Sequence, residues 1–91
     1  MKVGEYYLFA NTWFIAGRLM EIVNGIAAVS EAVTIYDNCA YRARKDGFSR
    51  VMLGEEPKEW SHVEGGIAYA GVMGSTIYPL VSMIWSKGGQ R

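Results

Sequence analysis

Apolar residues dominate the first third of the chain and are interrupted only at intervals. The run EYYLFA (5–10) is short and aromatic, and TWFIAGRLMEIV (12–23) is rich in β-branched and aromatic residues, so both predict strands. Asn24-Gly25 follows, a pair that tolerates positive φ at both positions and signals a tight hairpin. The chain then returns through IAAVSEAVTIY (26–36). Strict alternation along the second strand puts Trp13, Ile15, Gly17, Leu19, Glu21 and Val23 on one face. It puts Phe14, Ala16, Arg18, Met20 and Ile22 on the other. Both faces are largely apolar, which predicts burial on both sides over part of the strand. A small barrel supplies one buried face and a partner subunit would supply the second.

The pattern changes after Tyr36. Asp37 or Asn38 is a candidate N-cap, residues 40–45 are mostly good helix formers, and Gly47 is a stop signal, which predicts a short helix at about 38–46. SRVML (49–53) reads as a brief strand. GEEPKEWSH (54–62) reads as a polar loop, because Gly54 and Pro57 interrupt any period.

The stretch GGIAYAGVMGSTIYPLVSMIWS (65–86) contains no Asp, Glu, Lys, Arg or His. Its length suits a membrane-spanning helix of about 20 residues, and Gly66, Ala70 and Gly74 form a small-residue stripe at helical spacing. Against that, Gly65, Gly66, Gly71, Gly74 and Pro79 are poor helix residues. Large and small residues also alternate before Pro79: Ile67, Tyr69 and Met73 against Ala68, Ala70 and Gly74, the period of a strand. The favoured reading is therefore late barrel strands, with a membrane span as the alternative. From 80 to 87 a short helix and a closing strand remain equally open.

Composition sharpens this picture. With 91 residues the chain is a single small domain (1–91), yet it is 51% hydrophobic and 13% aromatic. So much apolar material predicts a homo-oligomer, with Ile77, Tyr78, Leu80, Val81, Ile84 and Trp85 as its interface. Nine basic and nine acidic residues leave no net charge, so extended nucleic acid is not an expected partner. The single Cys39 excludes an internal disulfide and suits a reducing, intracellular setting. The N-terminal residues lack a signal-peptide layout.

The segment AGRLMEIVNGIAAVSEAVTIY (16–36) carries an A-G-x-L-x-E run, a glycine turn, and then Val29, Glu31, Ala32, Ile35 and Tyr36. It resembles a family of small bacteriophage proteins whose typical run reads S-A-G-V-F-A-G-x-L, a polar glycine turn, then L-x-x-A-R-R-I-W-Y-W. It also looks like the first half of an Sm-like or SH3-like barrel, in which a bent strand with a glycine leads through a hairpin into an aliphatic strand. The resemblance covers about a quarter of the chain. It implies phage origin and a mainly β fold: a small, strongly bent Sm-like/SH3-like barrel with one short helix inserted. It implies no activity. The family's paired arginines are Val33 and Thr34 here, its second tryptophan position is Asn38, and the turn is longer by a residue.

Arg42, Arg44, Lys45 and Arg50 cluster near Tyr41 and Phe48, and an arginine fork beside aromatic rings holds phosphate and stacks bases. Trp13 and Tyr36, on the early strands, would line an aromatic pocket. The expected ligand site is thus Trp13, Tyr36, Tyr41, Arg42, Arg44 and Arg50; the competing reading is a solvated helix face and ordinary packing. His62, beside Glu59 and Glu64, lacks the further ligands a metal site requires and reads as an exposed loop histidine. Cys39 reads as a structural thiol. There is no phosphate-binding loop, dinucleotide fingerprint, zinc pattern or nucleophile elbow. The expectation is a non-enzyme without cofactor: a phage protein of the host cytoplasm that sequesters a nucleotide signal in pockets of a homo-oligomer. A protein-binding inhibitor of a host immune complex, similar to an anti-CRISPR protein, and a virion structural component are the alternatives.

Overall fold

A computed structural model of the chain describes residues 1–36 and 48–88. The expected helix at 38–46 lies outside the described residues. The fold is mainly β, built on one antiparallel sheet of six strands. Strand β1 (Tyr6–Ala10) sits between β2 (Phe14–Val23) and β6 (Thr76–Leu80). On the far side of β2 lies β3 (Ile26–Ile35), which pairs with β5 (Ala68–Gly71) along its first half and with β4 (Trp60–His62) along its second. A helical turn, α1 (Ser49–Met52), and a 3₁₀ helix (Ile84–Gly88) complete the described elements. The sheet is open: it begins at β4 and β5 and ends at β6, with no ladder among the described residues joining the two edges.

Two irregularities shape the sheet. Between the pairs Ala16–Val33 and Arg18–Ser30, β2 advances two residues and β3 three, so β3 carries an extra residue. Glu31, within this bulge, has φ of 53°. Between Leu19–Val29 and Glu21–Ala28 the excess reverses, and Met20 is the extra residue of β2. Each bulge inverts the inward parity of its strand and increases local twist. Strict alternation therefore fails: beyond Met20 it is Ile22, opposite Ala27, that continues the side of Leu19.

Alternation along β1 and β2, with the Glu31 bulge on β3, divides the apolar residues between two cores on opposite faces. Leu8, Phe14, Val33 and Ile35 face the first, which Phe48, Val51, Trp60 and Met83 cover. Tyr7, Phe9, Leu19, Ala27 and Val29 face the second, joined by Ala68. Each large side chain buried this way contributes about 1.5–3 kcal/mol. In the first core Phe14 meets Phe48 edge-on at 5.1 Å, and Tyr78 covers Phe48 at 5.1 Å.

Two expectations change, at 49–53 and at 54–62, and the reading of 65–86 as late strands holds. The stretch 49–53, read as a strand, instead contains α1 (Ser49–Met52), closed by Met52 N–H donating to Phe48 O at 2.9 Å. A five-residue apolar run carries too little period to separate helix from strand. The polar loop ends early, because Trp60–His62 form β4 against the free edge of Val33–Ile35 and bury the Trp60 ring. The uncharged stretch divides into β5, β6 and the start of the 3₁₀ helix. Pro79 is accommodated within β6 because that strand is at the sheet edge, where a missing N–H breaks no ladder. Among the described residues, no helix is long and apolar enough to cross a membrane.

Candidate functional site

The turn joining β1 to β2 stands across a cleft from β5. Phe9 and Ile15 form its apolar wall, residues 11–13 its rim on one side, and Tyr69, Ala70, Gly71 and Ser75 the other side. Its volume is about 330 Å³, at the small end of the range for small-molecule sites. Among the described residues, no charged side chain lines it. Trp13 and Tyr69 are 67% and 68% exposed, so much of each ring is open to solvent.

Asn11 organises the polar side. Its Oδ1 accepts from Thr12 N–H at 2.6 Å, which fixes the orientation of the amide, since an NH₂ group cannot accept. Its Nδ2 then donates to Ser75 Oγ at 3.4 Å, and the Ser75 hydroxyl donates to Gly71 O at 2.6 Å. Asn11 N–H donates to Trp13 O at 3.1 Å and closes the turn. One Asn11 amide hydrogen and the Thr12 hydroxyl remain without a partner among the described residues.

A second constellation gathers at the β3 bulge. Glu31 Oε1 accepts from Lys87 Nζ at 2.8 Å and from the Tyr6 hydroxyl at 3.1 Å, while Arg18 Nη1 lies 3.9 Å from Oε2. The hydrogen bond from Lys87 holds the Glu31 carboxyl below its usual range; partial burial opposes this, and the Tyr6 bond and the charges of Lys87 and Arg18 reinforce it. The same contact raises Lys87. These bonds tie the 3₁₀ helix to the bulge. The histidine of β4 adds a further tie, with His62 Nε2 2.8 Å from Ser86 O. His62 is thus exposed but sits on a strand rather than in a loop. Among the described residues no group of three His, Cys, Asp or Glu is placed to hold a metal ion.

The expected ligand residues separate. Trp13 lines the cleft, whereas Tyr36 and Arg50 do not. Tyr36 is exposed beyond β3, with its hydroxyl 2.9 Å from Ser61 Oγ. Arg50 forms an ion pair with Glu55 at 2.7 Å. Tyr41, Arg42 and Arg44, with Lys45 and Cys39, lie outside the described residues. The expected interface also divides. Leu80 is 7% exposed in the first core, so its side chain offers no surface to a partner. Tyr78 and Trp85 pack against that core and Ile77 against the second, leaving Val81 and Ile84 exposed at 74% and 72%. Asn11, Thr12, Tyr69 and Ser75 were not singled out from the sequence; the available signal was the polar Asn11-Thr12 pair between two aromatic strands.

No family model, curated protein or solved structure matches the chain. The functional reading therefore rests on the cleft and on the sequence resemblance.

Proposed function

We propose that this chain is a non-enzymatic binding protein that sequesters a small nucleotide signal, as a phage-encoded counter-defence factor acting in the host cytoplasm. The observation that carries this reading is the cleft bounded by Trp13 and Tyr69, with a polar turn at one side and an apolar wall. Aromatic rings beside a few aimed polar groups suit small planar ligands. The resemblance of residues 16–36 to phage proteins supports the biological setting, and the doubly bulged β2–β3 pair supports kinship with strongly bent Sm-like/SH3-like barrels. In this reading the protein is a homo-oligomer, with Val81 and Ile84 among the residues that meet the neighbouring copy. Calorimetry against cyclic and linear nucleotides tests the binding; no heat with any of them overturns it. Sedimentation at micromolar concentration tests the assembly, and a 10.1 kDa species overturns it.

A protein-binding role is the second reading, an inhibitor of a host immune complex. It is favoured by the exposed apolar residues Met20, Ile22, Val23 and Ile26 at the end of the β2–β3 hairpin. Retention of a defined host complex that is lost on Ile22→Lys supports it; unchanged retention by that variant excludes the hairpin.

A further inference from the structure

We propose that the cleft takes the uncharged heterocyclic base of its ligand and leaves any phosphate outside. The proposal rests on the small-ligand reading above and specifies which end of the ligand is recognised.

Three observations lead to it. First, among the described residues the lining contains no lysine or arginine. An anion moved from water into such a site loses hydration and meets no countercharge there, whereas a neutral ring loses little. Second, three cations among the described residues are engaged away from the cleft. Arg50 pairs with Glu55, and Arg18 and Lys87 face Glu31.

Third, the cleft offers what a base requires. Trp13 and Tyr69 expose ring surface for stacking, which is tolerant of base identity because every base has a π face. The free Asn11 amide hydrogen is a donor, the Thr12 hydroxyl is a donor or acceptor, and Ser75 Oγ retains a lone pair. Donor and acceptor together suit the edge of a heterocycle, which alternates the two. They come from a turn that Asn11 already holds in place, so little ordering is needed on binding.

The test compares adenosine, guanosine, cytidine and uridine with their 5′-monophosphates, with a methyl glycoside, and with a short single-stranded oligonucleotide. Titrations followed by Trp fluorescence and calorimetry at about 50 and 300 mM salt cover the range in which phosphate contacts weaken. The expected result is that at least one nucleoside binds within about threefold of its monophosphate, with no salt dependence. Binding of the oligonucleotide alongside the nucleoside also supports the proposal and identifies a strand as a second source of the base. Trp13→Ala should weaken binding about tenfold or more, the range of a lost stacking platform. Thr12→Val should alter the ranking among bases while leaving the circular-dichroism spectrum unchanged. Binding that requires phosphate and falls with salt overturns this inference and leaves the nucleotide reading standing. Binding of the glycoside but of no nucleoside overturns it as well. No binding by any compound overturns both.

Discussion

Replacing Gly17 with alanine tests the account of the bent sheet directly. Gly17 lies opposite the β3 bulge, between the Ala16–Val33 and Arg18–Ser30 pairs. A Cβ at this position would stand 2.8 Å from Ser30 O and 2.9 Å from both Cβ and Cγ2 of Val29. None of these is the far end of a flexible side chain. Ser30 O is backbone beside the bulge, and Val29 is fully buried in the second core. Overpacking of this kind costs about 1–3 kcal/mol. Alanine recovers about 0.4–1 kcal/mol by restricting the unfolded chain only where the native geometry accepts it, which it does not here, so the loss stays at about 1–3 kcal/mol. With a urea dependence of about 1 kcal/mol/M for a small domain, the midpoint falls by about 1–3 M. A thermal midpoint falls by about 4–8 °C per kcal/mol. Gly71→Ala is the internal control, because its Cβ would meet nothing within 4 Å and its φ is not in the left-handed region. That variant should stay within about 0.5 kcal/mol of the parent. Equal stability of Gly17→Ala and the parent, or an equal loss in Gly71→Ala, would refute the close approach at the bulge.

Three further outcomes follow from contacts already described. The Glu31–Lys87 contact lowers the carboxyl and raises the amine, so its contribution is complete between the ordinary glutamate and lysine values, about pH 4.3 and 10.4. It is lost as pH falls through the lowered Glu31 value or rises through the raised Lys87 value. Glu31→Gln should remove this group's acid-side loss in urea midpoints measured against pH; an unchanged acid limb would contradict the contact. Trp85 Nε1 is buried without a partner among the described residues, whereas Trp60 Nε1 donates to Glu56 Oε2 at 2.8 Å. Trp85→Phe relieves an unmet donor costing about 1–3 kcal/mol, so it should be better tolerated in denaturant than Trp60→Phe, and the reverse order would be inconsistent with this. Gly25 has φ of 77° in the β2–β3 turn, so Gly25→Ala should cost about 1–2 kcal/mol despite the open space around it, read from the same midpoints.

Much of the fold was legible where local chemistry acts alone. Asn24-Gly25 marks its hairpin because positive φ is a property of those residues, and both adopt it at 53° and 77°. The strand positions of β1 to β3 follow from aromatic and β-branched content. Other features depend on partners distant in sequence. The bulges at Glu31 and Met20 are defined by the register between β2 and β3, and because simple alternation misses the one at Met20 it assigned Glu21 and Val23 to the side of Leu19. Strand β4 exists because β3 offers a free edge, which no property of Trp60-Ser61-His62 announces. The candidate site follows the same rule. Trp13 was recognisable as a ring on an early strand. Its companion Tyr69 is 56 positions away, brought across the cleft by the pairing of β5 with β3.

That pairing also explains why bend and cleft belong to one device. In sheet order β5 is two strands from β2, and second neighbours in a flat sheet lie about 9.6 Å apart. Yet residues of β2 and β5 approach within 8 Å at Cα, so the sheet curls between them. Bulges increase local twist, and both lie beside the Val29–Ala68 pair where β5 begins. It is this curl that turns β5 toward the β1–β2 turn and sets Tyr69 and Ser75 across from Asn11 and Trp13. A substitution at Gly17, which lines no part of the cleft, should therefore weaken ligand binding along with stability. Gly25→Ala, at the far end of the hairpin, should lower stability and leave the affinity of the folded protein unchanged. Equal losses of affinity in both variants, measured well below their unfolding midpoints, would separate the cleft from the bend.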